Sequence, residues 1–154
     1  MTRFYLAYGS NLNVEQMQYR CPGAEIVTTA MIPDYQLMFK GSKTGSYLTI
    51  EKLPGAQVPV AVWRVTDADI ASLDRYEGFP TFYYKREFTL DCADGKRHRC
   101  FAYIMHEDHV LGIPSDWYVK TCLAGYMHFG FDKRYLQDAL DVSAAPYRRR
   151  GGVA

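Results

Sequence analysis

The sequence lacks an apolar run long enough to cross a bilayer. Its opening residues, MTRFYLAYGS, lack the extended apolar stretch and cleavage site of a secretory signal. No membrane partner is expected, and a cytoplasmic location is. A dominant charge is missing too: the net charge of +1 gives nucleic acid or an acidic membrane little to attract. Cysteine is sparse. Cys21, Cys92, Cys100 and Cys122 show neither a CxxC pair nor zinc-ligand spacing, so they read as reduced thiols. No repeat, low-complexity segment or domain linker interrupts the chain. Its 154 residues therefore read as one domain over residues 1–145, large enough to bury a real core, followed by a loose tail over 146–154. Arg148 to Arg150 in that tail read as solvated charges.

Aromatic side chains, by contrast, are plentiful. Thirteen Tyr and eight Phe supply apolar bodies, and the tyrosines add polar tips useful in a pocket wall as well as a core. The most informative stretch is Thr66 to Pro80, TDADIASLDRYEGFP. Thr66 is an N-cap, Asp69 a weaker capping-box partner, and Val65 and Ile70 occupy the hydrophobic staple positions. Gly78 suits the left-handed residue after a helix, and Pro80 prevents its resumption. The apolar face carries Ile70 and Leu73, and its next position is Glu77. A carboxylate there meets both burial and the negative end of the helix dipole. Both disfavour its charge, so its pKa is expected to rise and suit general acid–base work. The plainer reading is a solvated Glu on a fraying last turn.

Taken in order, Arg3 to Tyr8 reads as a buried strand ending at Gly9-Ser10-Asn11. Asn13 with Gln16 opens a short helix through about Tyr19. The connecting turn, Tyr8 to Leu12, can aim backbone N–H groups at one point and would welcome a carboxylate or carbonyl oxygen. Strand signals follow at Ile26 to Met31, Tyr35 to Phe39, Tyr47 to Glu51 and Val58 to Val65. They are separated by Pro33-Asp34, a loop at Gly41 to Gly45, and Pro54-Gly55. Phe82 to Leu90 and Arg97 to Met105 form a hairpin around Asp94-Gly95. Ser115 or Asp116 caps a helix from Trp117 to about Phe129 that is apolar nearly all round and expected to be largely buried. Tyr118, Cys122 and Tyr126 share one of its faces. Asp132 opens a last amphipathic helix through Leu140. Strands dominate, so the fold class is α+β: a small mixed sheet or barrel covered by helices.

Three other constellations carry less. His98, Cys100, His106 and His109 lie near one hairpin end, but surface histidines and a core thiol explain them better than a metal. Cys122 is the best-placed thiol for a Cys–His pair, yet buried free cysteines are usually packing residues. Tyr83-Tyr84-Lys85-Arg86 alternates between strand faces, which argues against single-strand nucleic-acid binding.

Three motifs stand together: Tyr5-Leu6-Ala7-Tyr8-Gly9-Ser10-Asn11-Leu12, Ser72-Leu73-Asp74-Arg75-Tyr76-Glu77-Gly78, and Pro114-Ser115-Asp116-Trp117-Tyr118. In this order, from about Phe4 to Tyr126, the chain resembles the γ-glutamylcyclotransferase family with its AIG2-like relatives. The resemblance implies a small mixed β-barrel flanked by helices, with no metal and no cofactor. It implies a reaction in which the α-amine of a γ-glutamyl group attacks its own side-chain amide, releasing 5-oxoproline and an amine. It implies Glu77 as the general acid–base group. Tyr5, Leu6, Ala7, Tyr8, Gly9, Ser10 and Asn11 become the substrate segment, and Tyr118 a wall residue. Tyr126 is added from the same helix face. The segments Gly41–Gly45 and His106–Pro114 are expected at the pocket mouth, where they would choose the leaving amine. Free γ-glutamyl amino acids, γ-glutamyl-amine cross-links and γ-glutamyl groups on a biosynthetic intermediate stay open, as do a homodimer and a non-catalytic binding module that keeps the pocket. Intramolecular attack brings its own proximity, so one proton carrier and one N–H-rich turn form a sufficient minimum.

Overall fold

The opening apolar run forms β1 (Arg3–Ala7), which lies inside the sheet rather than at its edge. The structure is a computed structural model that describes residues 3–42 and 45–151, with residues 42 and 148–151 described by backbone alone. Leu6 and Ala7 are fully buried, as a two-faced interior strand requires. β1 pairs antiparallel with β3 (Gly45–Val65) and parallel with β5 (Arg97–Met105). With β2 (Glu25–Ser42), β4 (Tyr83–Asp91) and β6 (Val110–Leu111), the six-stranded order is β4-β5-β1-β3-β2-β6. Helices flank this curled half-barrel, so the fold is α+β, as expected.

Two expectations for the strands are corrected. Pro33-Asp34 and Pro54-Gly55 do not end four short strands; they face each other inside one long hairpin, β2 with β3. Between the pairs Pro33–Gln57 and Tyr35–Lys52, one residue of β2 opposes residues 53–56 of β3. Asp34 takes φ 61° there and its carboxylate accepts the Gly55 N–H at 2.9 Å. The turn-forming residues thus build a bulge that bends the strands without breaking them. The bend brings Ala30 to an isolated bridge with Cys92, and the Thr29 carbonyl accepts the Ala93 N–H at 2.9 Å, which curls the sheet toward closure. Second, His106–Pro114 is not all loop, because β6 pairs with β2 at Lys40 and Gly41. Residues 43 and 44 of the Gly41–Gly45 loop lie outside the described residues. The Asp94-Gly95 hairpin forms as expected, with Gly95 at φ 78°.

α1 (Val14–Arg20) is capped by Asn13, whose side chain accepts the Gln16 N–H. α3 (Asp116–Phe129) is capped by Ser115. It is not largely buried. It lays one face, with Tyr118, Cys122, Gly125 and Tyr126, on the body, and Trp117 and Met127 remain 67% and 62% exposed. α4 (Arg134–Gly151) runs well past Leu140 and through Pro146. Tertiary bonds hold it there. Buried Ser143 accepts the Phe39 N–H at 2.8 Å, and the Tyr147 hydroxyl donates to the Leu111 carbonyl at 2.9 Å. Residues 152–154 of the expected tail, and the side chains of Arg148 to Arg150, lie outside the described residues. Among the described residues no helix is long and apolar enough to cross a membrane.

Candidate active site

The site is built around the end of α2 (Asp67–Glu77). Thr66 accepts the Asp69 N–H at 3.1 Å, and Asp69 returns the bond to the Thr66 N–H at 3.0 Å, so the full capping box forms. Asp69 also accepts the Gly23 N–H at 3.2 Å, which ties the helix start to the end of α1. At the other end Gly78 takes the left-handed conformation, φ 63°. With both ends fixed, Ile70 and Leu73 face the core, and Glu77, one turn beyond Leu73, looks into a cavity of about 350 Å³.

The opposite wall is the bend after β1. Tyr5, Tyr8, Gly9, Ser10 and Asn11 all line the cavity. Ser10–Leu12 forms a single tight helical turn whose internal bonds start at Leu12 N–H to Gly9 O, 3.0 Å, and Asn13 N–H to Ser10 O, 3.0 Å. The N–H groups of Ser10 and Asn11 therefore have no acceptor within the turn. Gly9 matters because a Cβ there would stand 3.3 Å from the Tyr118 hydroxyl and 3.5 Å from the Leu48 Cβ. Gly125 matters for the same bend from behind: a Cβ would meet the Leu12 backbone at 2.5 Å, so only glycine lets α3 press this close.

Tyrosines hold the walls together. The Tyr8 hydroxyl donates to the Tyr103 carbonyl at 2.5 Å, and Tyr83 donates to the Leu48 carbonyl at 3.0 Å. The Leu48 N–H donates to the Tyr118 hydroxyl at 3.1 Å. Tyr103 donates to Asp74 at 2.6 Å, and Lys85 pairs with Asp74 at 2.9 Å. These bonds lock aromatic rings around Glu77 while leaving no hydrogen bond to its carboxylate among the described residues. The consequence is electrostatic. Burial among the rings pushes the Glu77 carboxyl up to about 8, against the pull of the Arg20 charge, which lowers it. Glu77 stays partly accessible because it faces the cavity. Burial first, then the nearby Glu77 charge, also pushes up the Tyr5 and Tyr8 phenols, so they remain neutral donors and acceptors.

A sequence model of the family described as "Gamma-glutamyl cyclotransferase, AIG2-like" matches residues 5–120. The chain belongs to this family. The mouse protein named gamma-glutamylcyclotransferase is 30% identical over 155 residues, covering 96% of this chain and 82% of its own. The human protein of the same name is 32% identical over 151 residues, covering 93% and 80%. A solved structure named gamma-glutamyl cyclotransferase matches with TM-score 0.81 at 29% identity, over 90% of this chain and 86% of that one.

In this gamma-glutamyl cyclotransferase family member, the cavity brings together most of the residues singled out from sequence: Glu77, Tyr5, Tyr8, Gly9, Ser10, Asn11 and Tyr118. Leu6 and Ala7 are fully buried and do not line it. Tyr126 lies outside the lining too, on the inner face of α3, with its ring 5.5 Å from that of Phe131. Its hydroxyl is buried with no hydrogen-bond partner among the described residues. Tyr47, Arg75, Phe82, Tyr83 and Tyr103 line the cavity and were not singled out as site residues from the sequence. Arg75 stands inside the second motif, two residues before Glu77; the four aromatics are on or beside strands, and which of them faces the site depends on sheet curl. The segment His106–Pro114, expected at the pocket mouth, supplies no lining residue; it reaches the lining residue Phe82 through the His109 ring, 4.7 Å away.

The grouped metal-ligating atoms among the described residues are those of Cys92, Asp94 and His98, not the His98, Cys100, His106 and His109 set. His98 and Asp94 already bond each other at 2.8 Å at the hairpin tip, and none of the three lines the cavity. Cys122 is fully buried, and burial pushes its thiol up to about 12, which makes it a packing residue and a poor nucleophile.

Proposed function

We propose that the protein is a γ-glutamylcyclotransferase that converts the γ-glutamyl group of a small amide to 5-oxoproline with release of the amine. Glu77 is the acid–base group. Its carboxylate accepts a proton from the substrate α-ammonium. The freed amine then attacks the side-chain amide carbonyl carbon, forming the ring C–N bond. As the original C–N bond breaks, protonated Glu77 gives a proton to the leaving nitrogen, and the Glu77 carboxylate so regenerated takes the surplus proton from the ring nitrogen and passes it to the released amine, which departs as an ammonium. Water is not consumed, and no protein nucleophile is needed, because the attacking group belongs to the substrate. The free N–H groups of the Ser10–Leu12 turn hold an anionic substrate oxygen, the role of an oxyanion site. Tyr118 and the other phenols position the substrate and exclude bulk water.

One observation carries this reading: a carboxyl raised to about 8 shares a tyrosine-walled cavity with an N–H-rich turn, in a chain of this family. A carboxyl with a pKa near the working pH exists in both protonation states, as a group that first takes and then gives a proton must. The four unpaired thiols support a reducing compartment, the cytoplasm. The test is a panel of γ-glutamyl amides assayed for 5-oxoproline. Wild-type protein should turn over at least one member, and Glu77→Gln should cut kcat by about 10²–10⁴-fold while the fold persists. Saturable binding with no 5-oxoproline from any member would replace the reading with a binding module. Activity surviving Glu77→Gln would remove Glu77 from the mechanism.

A further inference from the structure

We propose that Arg20, which does not line the cavity, is a positioning residue that clips the N–H-rich turn to the end of α2 and sets a fixed positive charge against Tyr76, the residue next to Glu77. The inference rests on the cyclotransferase reading for its kinetic consequence, but its geometry does not.

Arg20 ends α1, and its guanidinium contacts both walls of the site. It donates through Nη1 to Oδ1 of Asn11. Its Cζ lies 3.4 Å from the ring centroid of Tyr76, so the guanidinium stacks on the residue immediately before Glu77. The same two walls are tied a second time, because Ser10 Oγ and the Tyr76 hydroxyl are 3.0 Å apart. Asn11 is fixed in turn: it is 2% exposed and its amide donates to the Tyr5 hydroxyl at 2.9 Å. The result is a closed ring of contacts: Arg20 to Asn11, along the chain to Ser10, across to Tyr76, and back to Arg20. Only a planar fork that both hydrogen-bonds edge-on and stacks face-on can complete it, which is a property of arginine and not of lysine. Loosening this ring would let the donor turn and the acid–base helix drift apart, and reactions that depend on alignment lose about 10²-fold for misplacements near 1 Å.

Charge gives the clip its second role. Among the described residues Arg20 has no carboxylate within ion-pair distance. The other titratable groups facing Glu77 are phenols: Tyr5 from β1, Tyr8 from the bend after it, Tyr83 from β4, Tyr103 from β5 and Tyr118 from α3. Burial raises all of them, so they stay neutral at working pH. On α2 itself, Asp74 is offset by Lys85, and Arg75 sits exposed on the cavity rim, donating to Ser72 at 3.3 Å. Arg20 is the charge that opposes the burial of Glu77.

The experiment compares wild type, Arg20→Met and Arg20→Lys. The Glu77 carboxyl is titrated without substrate by ¹³C NMR, and kcat, KM and the pH profile of kcat/KM are measured with a γ-glutamyl amide that wild type turns over. In Arg20→Met the carboxyl midpoint should rise by about one pH unit, the rising limb of kcat/KM should rise with it, and kcat should fall about 10–10²-fold. In Arg20→Lys the midpoint should return toward wild type, because the charge is restored, while the loss in kcat stays. An unchanged midpoint in Arg20→Met would overturn the countercharge role, and wild-type kcat in Arg20→Lys would overturn the clip. Should Arg20→Met fail to fold, Arg20→Lys decides alone: reduced kcat at a wild-type midpoint supports the proposal, and wild-type kcat ends it. Absence of turnover in wild type would refute the cyclotransferase reading instead, and the titration would still be read.

Discussion

The hydroxyl of Tyr118 accepts the backbone N–H of Leu48 at 3.1 Å. This one bond joins α3 to β3 across the cavity, and it satisfies a buried donor whose acceptor among the described residues is Tyr118. Tyr118→Phe should therefore cost about 1–3 kcal/mol in stability, and KM should rise because the wall is no longer pinned. Tyr126→Phe is the internal comparison. Its hydroxyl is already buried without a partner among the described residues, so removing it should leave stability unchanged or raise it. Thermal unfolding of the two variants side by side checks both signs. A Tyr126→Phe protein that loses as much as Tyr118→Phe would contradict this assignment.

Glu77 should also govern how stability varies with pH. Its carboxyl is raised to about 8 in the folded state, against about 4.3 for an unperturbed Glu. Below the unfolded value the group is neutral in both states, so its contribution is fully present. As pH climbs from there through the folded value, the unfolded chain ionises first and gains the advantage, so the contribution is lost across roughly pH 4 to 8. Glu77→Gln is neutral throughout and escapes that loss. The variant should match wild type near pH 4 and exceed it at pH 9 by on the order of 2–4 kcal/mol. Chemical denaturation at the two pH values measures it. Equal differences at both would mean that the carboxyl is not raised in the folded protein.

Local chemistry explains which parts of the fold were legible in the sequence. The ends of α2 were readable because a capping box and a left-handed glycine are decided by residues within one turn of each other: Thr66, Asp69 and Gly78. The Asp94-Gly95 hairpin was readable for the same reason. Pro33-Asp34 and Pro54-Gly55 misled because each alone is a turn signal. Their true meaning, a shared bulge, exists only once β2 and β3 pair across some twenty residues of chain, and nothing local encodes that register. The length of α4 was hidden similarly: Ser143 and Tyr147 hold it past Leu140 through bonds to Phe39 and Leu111, residues remote in sequence. Within the site, Glu77 and the turn after β1 were found because they sit in compact motifs. Tyr83 and Tyr103 line the cavity because the sheet curls, and strand alternation alone cannot say which face becomes concave.

Asp69 offers a separate check on the frame that delivers Glu77. One carboxylate accepts the Thr66 and Gly23 N–H groups, at 3.0 and 3.2 Å, and is 3% exposed. Asp69→Ala would orphan both donors, which predicts a loss of about 2–3 kcal/mol. Asp69→Asn keeps one acceptor oxygen and should lose less. Unfolding curves that rank the two in the reverse order would show that the carboxylate does not hold this junction.

The substrate turn depends on what lies behind it. Gly125 carries α3 against the backbone of Leu12, and a Cβ at that position would fall 2.5 Å from its carbonyl carbon and 2.5 Å from its Cβ. Such a distance is far inside van der Waals contact, so Gly125→Ala must displace either the helix or the turn. Helix propensity favours alanine over glycine by about 1 kcal/mol, yet overpacking costs about 1–3 kcal/mol, so the net change should be a modest destabilisation. Activity should suffer more than stability does, because the atoms that move are those of the Ser10–Leu12 turn, whose Ser10 and Asn11 N–H groups find no acceptor within the turn. Ala124→Gly separates the two effects. It lies on the exposed face of the same helix and gives up about the 1 kcal/mol of helix propensity that Gly125→Ala gains, so it lowers stability without pressing on the turn. At comparable loss of stability, kcat/KM on a γ-glutamyl amide should fall in Gly125→Ala and hold in Ala124→Gly. If the two variants lose activity in proportion to stability alone, the turn's geometry is not what α3 protects.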